Sequence, residues 1–283
     1  MLVDKPAGMT SHDVVQRVRR VLGCGAAGHT GTLDPFATGL LVVLLGRATR
    51  LARFVEAQSK TYLATARLGI STDTDDLTGR VLETSEAARV SEEQVAGSLA
   101  GFLGSQAQRP PQYSAKHVGG ERSYARARRG EVVALSDVTV MVSRMELVEF
   151  RTPFVTFRAV VSAGTYLRAI ARDLGERLGT GAHLTGLRRE AIGSLRVEDA
   201  VPLEHLSPDA IVPARNVLGD LPTVELDPAE RIAVVHGRAV EDSGAVGKRG
   251  SGEVVGLLGN GELVAVAKAQ DGWLQPTVVL ATP

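Results

Sequence analysis

One cysteine, Cys24, is all the chain has, so an intrachain disulfide and a cysteine-built zinc cluster are both excluded. Long apolar runs are missing too: the longest, Leu40 to Leu45, falls far short of the roughly 18 residues a membrane-crossing helix needs. No basic segment leads into an apolar stretch near the N-terminus, which removes the pattern of a secretory leader and leaves the cytoplasm as the expected location, with no membrane partner. Internal repeats and low-complexity segments are absent, which excludes solenoids and disordered tracts. Net charge is lacking as well, at +0, and that at first argues against a nucleic-acid partner. The distribution says otherwise. Residues 220–283 hold nine acidic side chains against five basic, so the preceding 219 carry 27 basic against 23 acidic. Between Gly101 and Gly130 stand Arg109, Lys116, Arg122, Arg126, Arg128 and Arg129, with Glu121 the single acid and Tyr113 and Tyr124 interleaved. That composition reads either as a solvated basic face or as a surface for phosphates and exposed bases.

What is present is an ordinary core-forming composition, 44% hydrophobic and 23% charged over 283 residues, long enough for a larger body and a smaller appendage. Prolines at 202, 208, 213 and 222 thin the regular pattern and mark a linker before about the last 60 residues. Ser11 reads as the N-cap of a helix carrying Val14, Val15, Val18, Val21 and Leu22 and ending at Gly23. Leu40 to Leu45 reads as a buried strand, Arg47 to Val55 as a short helix and Thr61 to Leu68 as a second strand. Ser91 to Leu103 is expected helical, Val132 to Val148 and Phe154 to Ser162 to be paired strands, and Thr165 to open a helix bearing Leu167, Ile170, Ala171, Leu174 and Leu178 on one face. In the tail, Ile232 to Val235, Glu253 to Leu258, Leu263 to Ala267 and Val278 to Leu280 read as short strands of a small β-barrel. The class is α+β.

The densest chemical signal is Gly28-His29-Thr30-Gly31-Thr32-Leu33-Asp34-Pro35-Phe36-Ala37-Thr38-Gly39. Its glycines open backbone conformations closed to other residues, and Pro35 biases Asp34 towards an extended shape, so one carboxylate is held in a restricted direction. No Gly-Lys-Ser/Thr follows, which excludes a phosphate-binding P-loop, and there is no dinucleotide fingerprint. Taken alone, Asp34 reads equally as a turn residue before proline. A second signal is Gly164-Thr165-Tyr166-Leu167-Arg168. An arginine in a first helical turn opposes the helix dipole and calls for a nearby anion, carboxylate or phosphate, unless it lies along the helix surface. Arg172, one turn on, is expected to pair at the surface with Asp173 or Glu176. Asp73, Asp75 and Asp76 lack the glycine and terminal glutamate of a calcium loop and read as turn carboxylates. The spacing of His12, His183, His205 and His236 makes no metal site, so no metal is expected.

The segment from Gly28 to Gly39, preceded by Asp4-Lys5-Pro6-Ala7-Gly8-Met9-Thr10-Ser11, resembles the signature of the TruB-type tRNA pseudouridine synthases. Lys60-Thr61-Tyr62, Pro110-Pro111-Gln112-Tyr113-Ser114-Ala115-Lys116, Gly164 to Arg168, and Gly181-Ala182-His183-Leu184-Thr185-Gly186-Leu187-Arg188-Arg189 follow in the family's order, so the resemblance spans the chain to about residue 200. Less specifically, Val235-His236-Gly237-Arg238 and Leu263 to Ala267 resemble a PUA-type RNA-binding barrel. The resemblance implies a pseudouridine synthase domain over residues 1–219, with a mixed, mostly antiparallel sheet and an RNA-gripping insertion near 101–130, and a PUA-like domain over 220–283. It implies cofactor-free isomerisation of the tRNA T-arm uridine at position 55, with the base flipped into a cleft. By the same carry-over Asp34 is the catalytic carboxylate and Arg168 pairs with it. Tyr62 stacks on the target base, Tyr166 and Leu187 line the uracil pocket, and His29 braces the disrupted nucleotides. Lys116, Arg126 and Arg129 would grip RNA, and the protein is expected to act as a monomer on the tRNA T-stem-loop. Outside the family pattern Tyr62 and Leu187 would be ordinary core residues.

Three features depart from that pattern: the chain begins almost on its first motif, Phe36 replaces the usual aliphatic residue, and the tail is acidic where an RNA-binding barrel should be basic. Two rival readings use the same cleft: a tRNA-folding chaperone without essential catalysis, and a guide-RNA-dependent synthase related to dyskerin. The short N-terminus and the lack of basic tails weigh against the second.

Overall fold

The computed structural model describes residues 1–87, 89–113, 117–118, 121–122, 135–242 and 249–282. These fall into two compact units: residues 1–35, 40–56 and 193–283 in the first, 36–39 and 57–192 in the second.

In the first unit the helix Ser11–Leu22 is started by Thr10, not Ser11. The Thr10 hydroxyl accepts from Asp13 N at 3.1 Å and the Asp13 carboxylate accepts from Thr10 N at 2.9 Å, a reciprocal capping box, and Gly23 closes the helix in the left-handed region. Spacing of three and four puts Val14, Val15 and Val18 on one side, packed with Met1, Val3, Leu41, Val43 and Leu206. The strand Leu2–Lys5 runs parallel to Val201–Pro202, and Ala27–His29 lies antiparallel to Val43, Leu44 and Leu45. Arg47 to Val55 is helical in two pieces, a 3-10 turn Gly46–Leu51 and the α-helix Ala52–Glu56.

Within the same unit the tail forms a five-stranded sheet in the order Thr223–Glu225, Val254–Gly259, Glu262–Gln270, Trp273–Val279, Val240–Glu241. Asn260-Gly261 and Asp271-Gly272 take positive φ at both hairpin turns, the conformation that matches strand twist. One expected strand is a helix. Ile232 to Val235 belongs to Pro228–Val235, capped by Asp227 with proline at its start and Glu230 closing the box, start signals that outweigh a four-residue apolar run. Val234 from that helix joins Val255, Leu257, Ala265 and Leu274 in the core of the sheet.

The second unit is built on an antiparallel series: Gly104–Gln108, Val138–Arg151, Phe154–Val161, Lys60–Leu68 and Ala182–Ile192, each hydrogen-bonded to the next. Thr38 and Gly39 add a short parallel pairing with Arg188 and Arg189. Strict alternation along Lys60–Leu68 buries Lys60, Tyr62, Ala64, Ala66 and Leu68 on one face. Ser91 caps the helix Glu92–Ala100, which ends short of the expected Leu103, and the strand Gly104–Gln108 follows although its Gly-Ser-Gln-Ala-Gln sequence has no apolar period. The helix expected from Thr165 begins at Leu167, with Tyr166 at the N-cap and no side-chain cap of its own. Thr165 instead turns its hydroxyl back to the Ser162 carbonyl at 2.9 Å.

Candidate active site

Asp34 stands half-buried in a loop whose backbone is fastened on both sides. Just before it, the buried Ser11 hydroxyl accepts from Leu33 N at 2.9 Å and lies 3.3 Å from the Leu33 carbonyl oxygen. Just after it, the Pro35 carbonyl accepts from Gly8 N at 2.8 Å and from the buried Lys5 ammonium at 3.3 Å. The Asp4 to Ser11 segment and the Asp34 loop are thus one local structure: Lys5, Gly8 and Ser11 form the backing of the segment that carries the acid. This is why Ser11 does not cap its helix; its single hydroxyl is committed elsewhere. Of the loop glycines, Gly31 and Gly39 take positive φ, whereas Gly28 sits in the strand Ala27–His29. Gly39 is the more constrained, since a Cβ there would fall on the Arg189 carbonyl oxygen and within 2.8 Å of Arg189 N. His29 is half-buried in the same short strand, beside the buried Thr30.

Arg168, in the second unit, occupies the first turn of Leu167–Arg177, where the dipole opposes its charge. Its side chain is 8% exposed and meets the Asp76 carboxylate at 3.4 Å, with the Thr74 carbonyl accepting at 3.0 Å and the Tyr113 carbonyl at 2.9 Å. Asp76 was not singled out from the sequence beyond its place in a turn. It organises that turn: one carboxylate oxygen accepts from Thr78 N (2.9 Å), the Thr78 hydroxyl (2.6 Å) and the Thr74 hydroxyl (2.8 Å). The threonines that alternate with the aspartates were the available signal. Asp73 accepts from Arg80 N and side chain, as a turn carboxylate does.

Arg172 departs from its expected surface pairing. It does bond Asp173, at 2.8–2.9 Å, but its side chain is only 15% exposed and it also bonds Asp75 at 3.0 Å and the Arg109 carbonyl at 2.9 Å. Burial pushes the Asp75 carboxyl up to about 6 against the downward pull of Arg172 and Arg168.

Strand register brings two of the expected pocket residues to one face. Tyr62 stands opposite Arg189 and Ala159, and Ala64 opposite Leu187, so Tyr62 and Leu187 project to the same side one diagonal step apart. Tyr62 is buried; Leu187 and Tyr166 are half-buried. Tyr166 is held by its backbone: Gln108 accepts from Tyr166 N at 2.9 Å and donates to the Tyr166 carbonyl at 3.1 Å. Gln108 thereby pins the residue at which the helix starts, and no sequence pattern announces it. Lys116, Arg126 and Arg129 lie outside the described residues. Among the described residues no helix is long and apolar enough to cross a membrane.

Comparison with known proteins gives the family and the fold. Residues 19–167 match the TruB family pseudouridylate synthase N-terminal domain, and residues 168–231 match the tRNA pseudouridylate synthase B C-terminal domain. The tRNA pseudouridine synthase B of Thermobifida fusca (strain YX) is 44% identical, covering 99% of this chain and 98% of the relative. That of Mycobacterium sp. (strain KMS) is 43% identical over 92% of each. Among solved structures, a chain of a Cbf5-Nop10-Gar1 complex superposes with a TM-score of 0.78 at 28% identity, covering 99% of this chain and 85% of that one. A chain of an H/ACA RNP bound to a substrate RNA containing 2'-deoxyuridine superposes with a TM-score of 0.77 at 26% identity, covering 99% and 84%. The α+β class, the pseudouridine synthase fold and a C-terminal sheet consistent with a PUA-like domain follow. On motifs, fold and relatives alike, the chain belongs to the TruB family of pseudouridylate synthases.

Proposed function

We propose that this TruB-family isomerase converts the T-arm uridine at position 55 of tRNA to pseudouridine, with Asp34 as the catalytic carboxylate. The observation that carries the reading is the fastening of Leu33 and Pro35 by Ser11, Gly8 and Lys5: it holds an acid in a fixed direction, as chemistry at one sugar carbon requires. Pseudouridylation breaks the bond from uracil N1 to the ribose C1', turns the base, and joins C5 to C1', with the C5 proton lost and N1 protonated. A carboxylate serves either by attacking the anomeric carbon or by removing a ribose proton. Arg168 supplies the positive charge that keeps Asp34 ionised. Tyr62 stacks on the everted base, Tyr166 and Leu187 line its pocket, and His29 braces the nucleotides left behind, since eversion costs a few kcal/mol of stacking. Lys116, Arg126 and Arg129 grip the T-stem-loop.

The synthase reading assigns catalysis to residues 1–219 and the PUA-like role to 220–283, a division supported by the separate core of the five-stranded sheet. The protein works without a cofactor, as a monomer, in the cytoplasm. The test is Asp34→Asn incubated with unmodified tRNA transcript and no other component. The variant should bind tRNA and make no pseudouridine, while the parent protein makes it at position 55; turnover by the variant at the parental rate would refute the role of Asp34. A requirement for guide RNA in the parent protein would refute the stand-alone reading.

A further inference from the structure

Two segments distant in sequence are held by one face of the helix Leu167–Arg177: the aspartate turn at residues 73–80 and the stretch 109–113. Arg168 and Arg172, one turn apart, bind them in parallel. Arg168 takes Asp76 and the Tyr113 carbonyl; Arg172 takes Asp75, the preceding carboxylate, and the Arg109 carbonyl, four residues earlier. Each partner of Arg172 is therefore covalently close to a partner of Arg168. The turn is committed to this arrangement, for Asp75 stands at a φ of 60, rare outside glycine, and its carbonyl accepts from Leu184 N at 3.0 Å. Arg172 is in turn fixed by Asp173 and lies 4.0 Å from Glu176.

We infer that Arg172 is a positioning residue for the isomerisation: by bridging Asp75 and the Arg109 carbonyl it sets the spacing of the two walls between which the Arg168 guanidinium is held. The inference rests on the reading that Arg168 serves Asp34 at the uridine. A guanidinium is the group for this task, because its planar fork reaches acceptors in different directions, whereas an ammonium is a point charge on a flexible stem. Loss of the bridge lets the walls part, and Arg168 shifts relative to the uridine while the tRNA-binding surface stays as it was.

The test uses the full chain and unmodified tRNA transcript. Single-turnover rates at saturating enzyme and tRNA affinities are measured for Arg172→Gln, Arg172→Lys, Asp75→Asn, the Arg172→Gln/Asp75→Asn pair, and Arg168→Lys as a control, below the temperature at which any of them unfolds. Arg172→Gln should slow the single-turnover rate about tenfold, the scale of one lost charge-assisted hydrogen bond, with tRNA affinity within about twofold of the parent. Arg172→Lys should be slowed as well, and the double variant should be no slower than the slower single one, because both substitutions break one bridge. A parental rate in folded Arg172→Gln, a loss confined to affinity, or multiplying losses in the double variant would overturn the inference. Should Arg172→Gln fail to fold, Arg172→Lys and Asp75→Asn decide by the same criteria. A parental rate in Arg168→Lys would bring down the role of Arg168 and this inference with it; slow Arg168→Lys beside fully active Arg172 variants would overturn this inference alone.

Discussion

Replacing Asp76 by asparagine keeps an oxygen for Thr74 and Thr78 but removes the carboxylate that faces Arg168. The guanidinium then remains buried, at 8% side-chain exposure, at the positive end of a helix and without the Asp76 charge. At the observed 3.4 Å, the attraction lost is about 5 kcal/mol at an effective dielectric of about 20. Desolvation of the carboxylate offsets part of this, and removing one partner of a buried pair costs about 3–5 kcal/mol. Set against a total stability of about 5–15 kcal/mol, the variant should fold but lose a large share of its margin. Urea unfolding followed by circular dichroism reads the stability, and single-turnover pseudouridine formation reads the effect on Arg168. Because the pair is buried, the loss should persist at high salt, where a surface pair would already be screened. Unfolding midpoints that coincide with the parent, or a difference that vanishes in salt, would show that Asp76 does not neutralise Arg168.

Ser11→Ala strips Leu33 N of its partner and should cost about 1–3 kcal/mol by denaturant titration, with a reduced rate of pseudouridine formation; unchanged stability and rate would mean that the Ser11 tether does not hold the loop. Gly39→Ala must both adopt a positive φ and push aside the Arg189 backbone, and should destabilise the chain by more than about 2 kcal/mol in the same titration. A parental midpoint would contradict that close approach. Asp75, raised by burial from its ordinary value of 3.8 to about 6, binds protons more readily when folded, so its contribution favours folding below about pH 4 and is lost as pH rises through about 6. Urea titrations should therefore show the parent losing up to about 3 kcal/mol relative to Asp75→Asn between those limits, with no further change above. The groups facing Asp75 are Arg172, Arg168 and Asp173. A gap that moves the other way would mean that the arginines outweigh burial.

Several local elements were legible because their causes are local. Thr61 to Leu68 reads as a strand and forms all but the first residue of Lys60–Leu68, the periodic valines mark the helix Ser11–Leu22, and Asn-Gly and Asp-Gly occupy the turns of the C-terminal hairpins. Where a residue had two available partners, local reasoning failed. Ser11 reads as a cap, yet Thr10 takes that role and Ser11 spends its hydroxyl on Leu33. Ile232 to Val235 reads as a strand, yet Asp227, Pro228 and Glu230 start a helix there.

By itself the sequence determined the family and the class of fold and singled out Asp34 as the acid proposed for the chemistry, because five ordered motifs and simple periodicities are written along the chain. Only the tertiary structure decided which anion faces Arg168 within its own unit, that Gln108 pins the Tyr166 backbone, and that Lys5, Gly8 and Ser11 brace the Asp34 loop. These depend on hydrogen bonds between segments far apart in sequence. Such bonds are chosen by burial and geometry once the chain has folded, and no residue's local propensity specifies them.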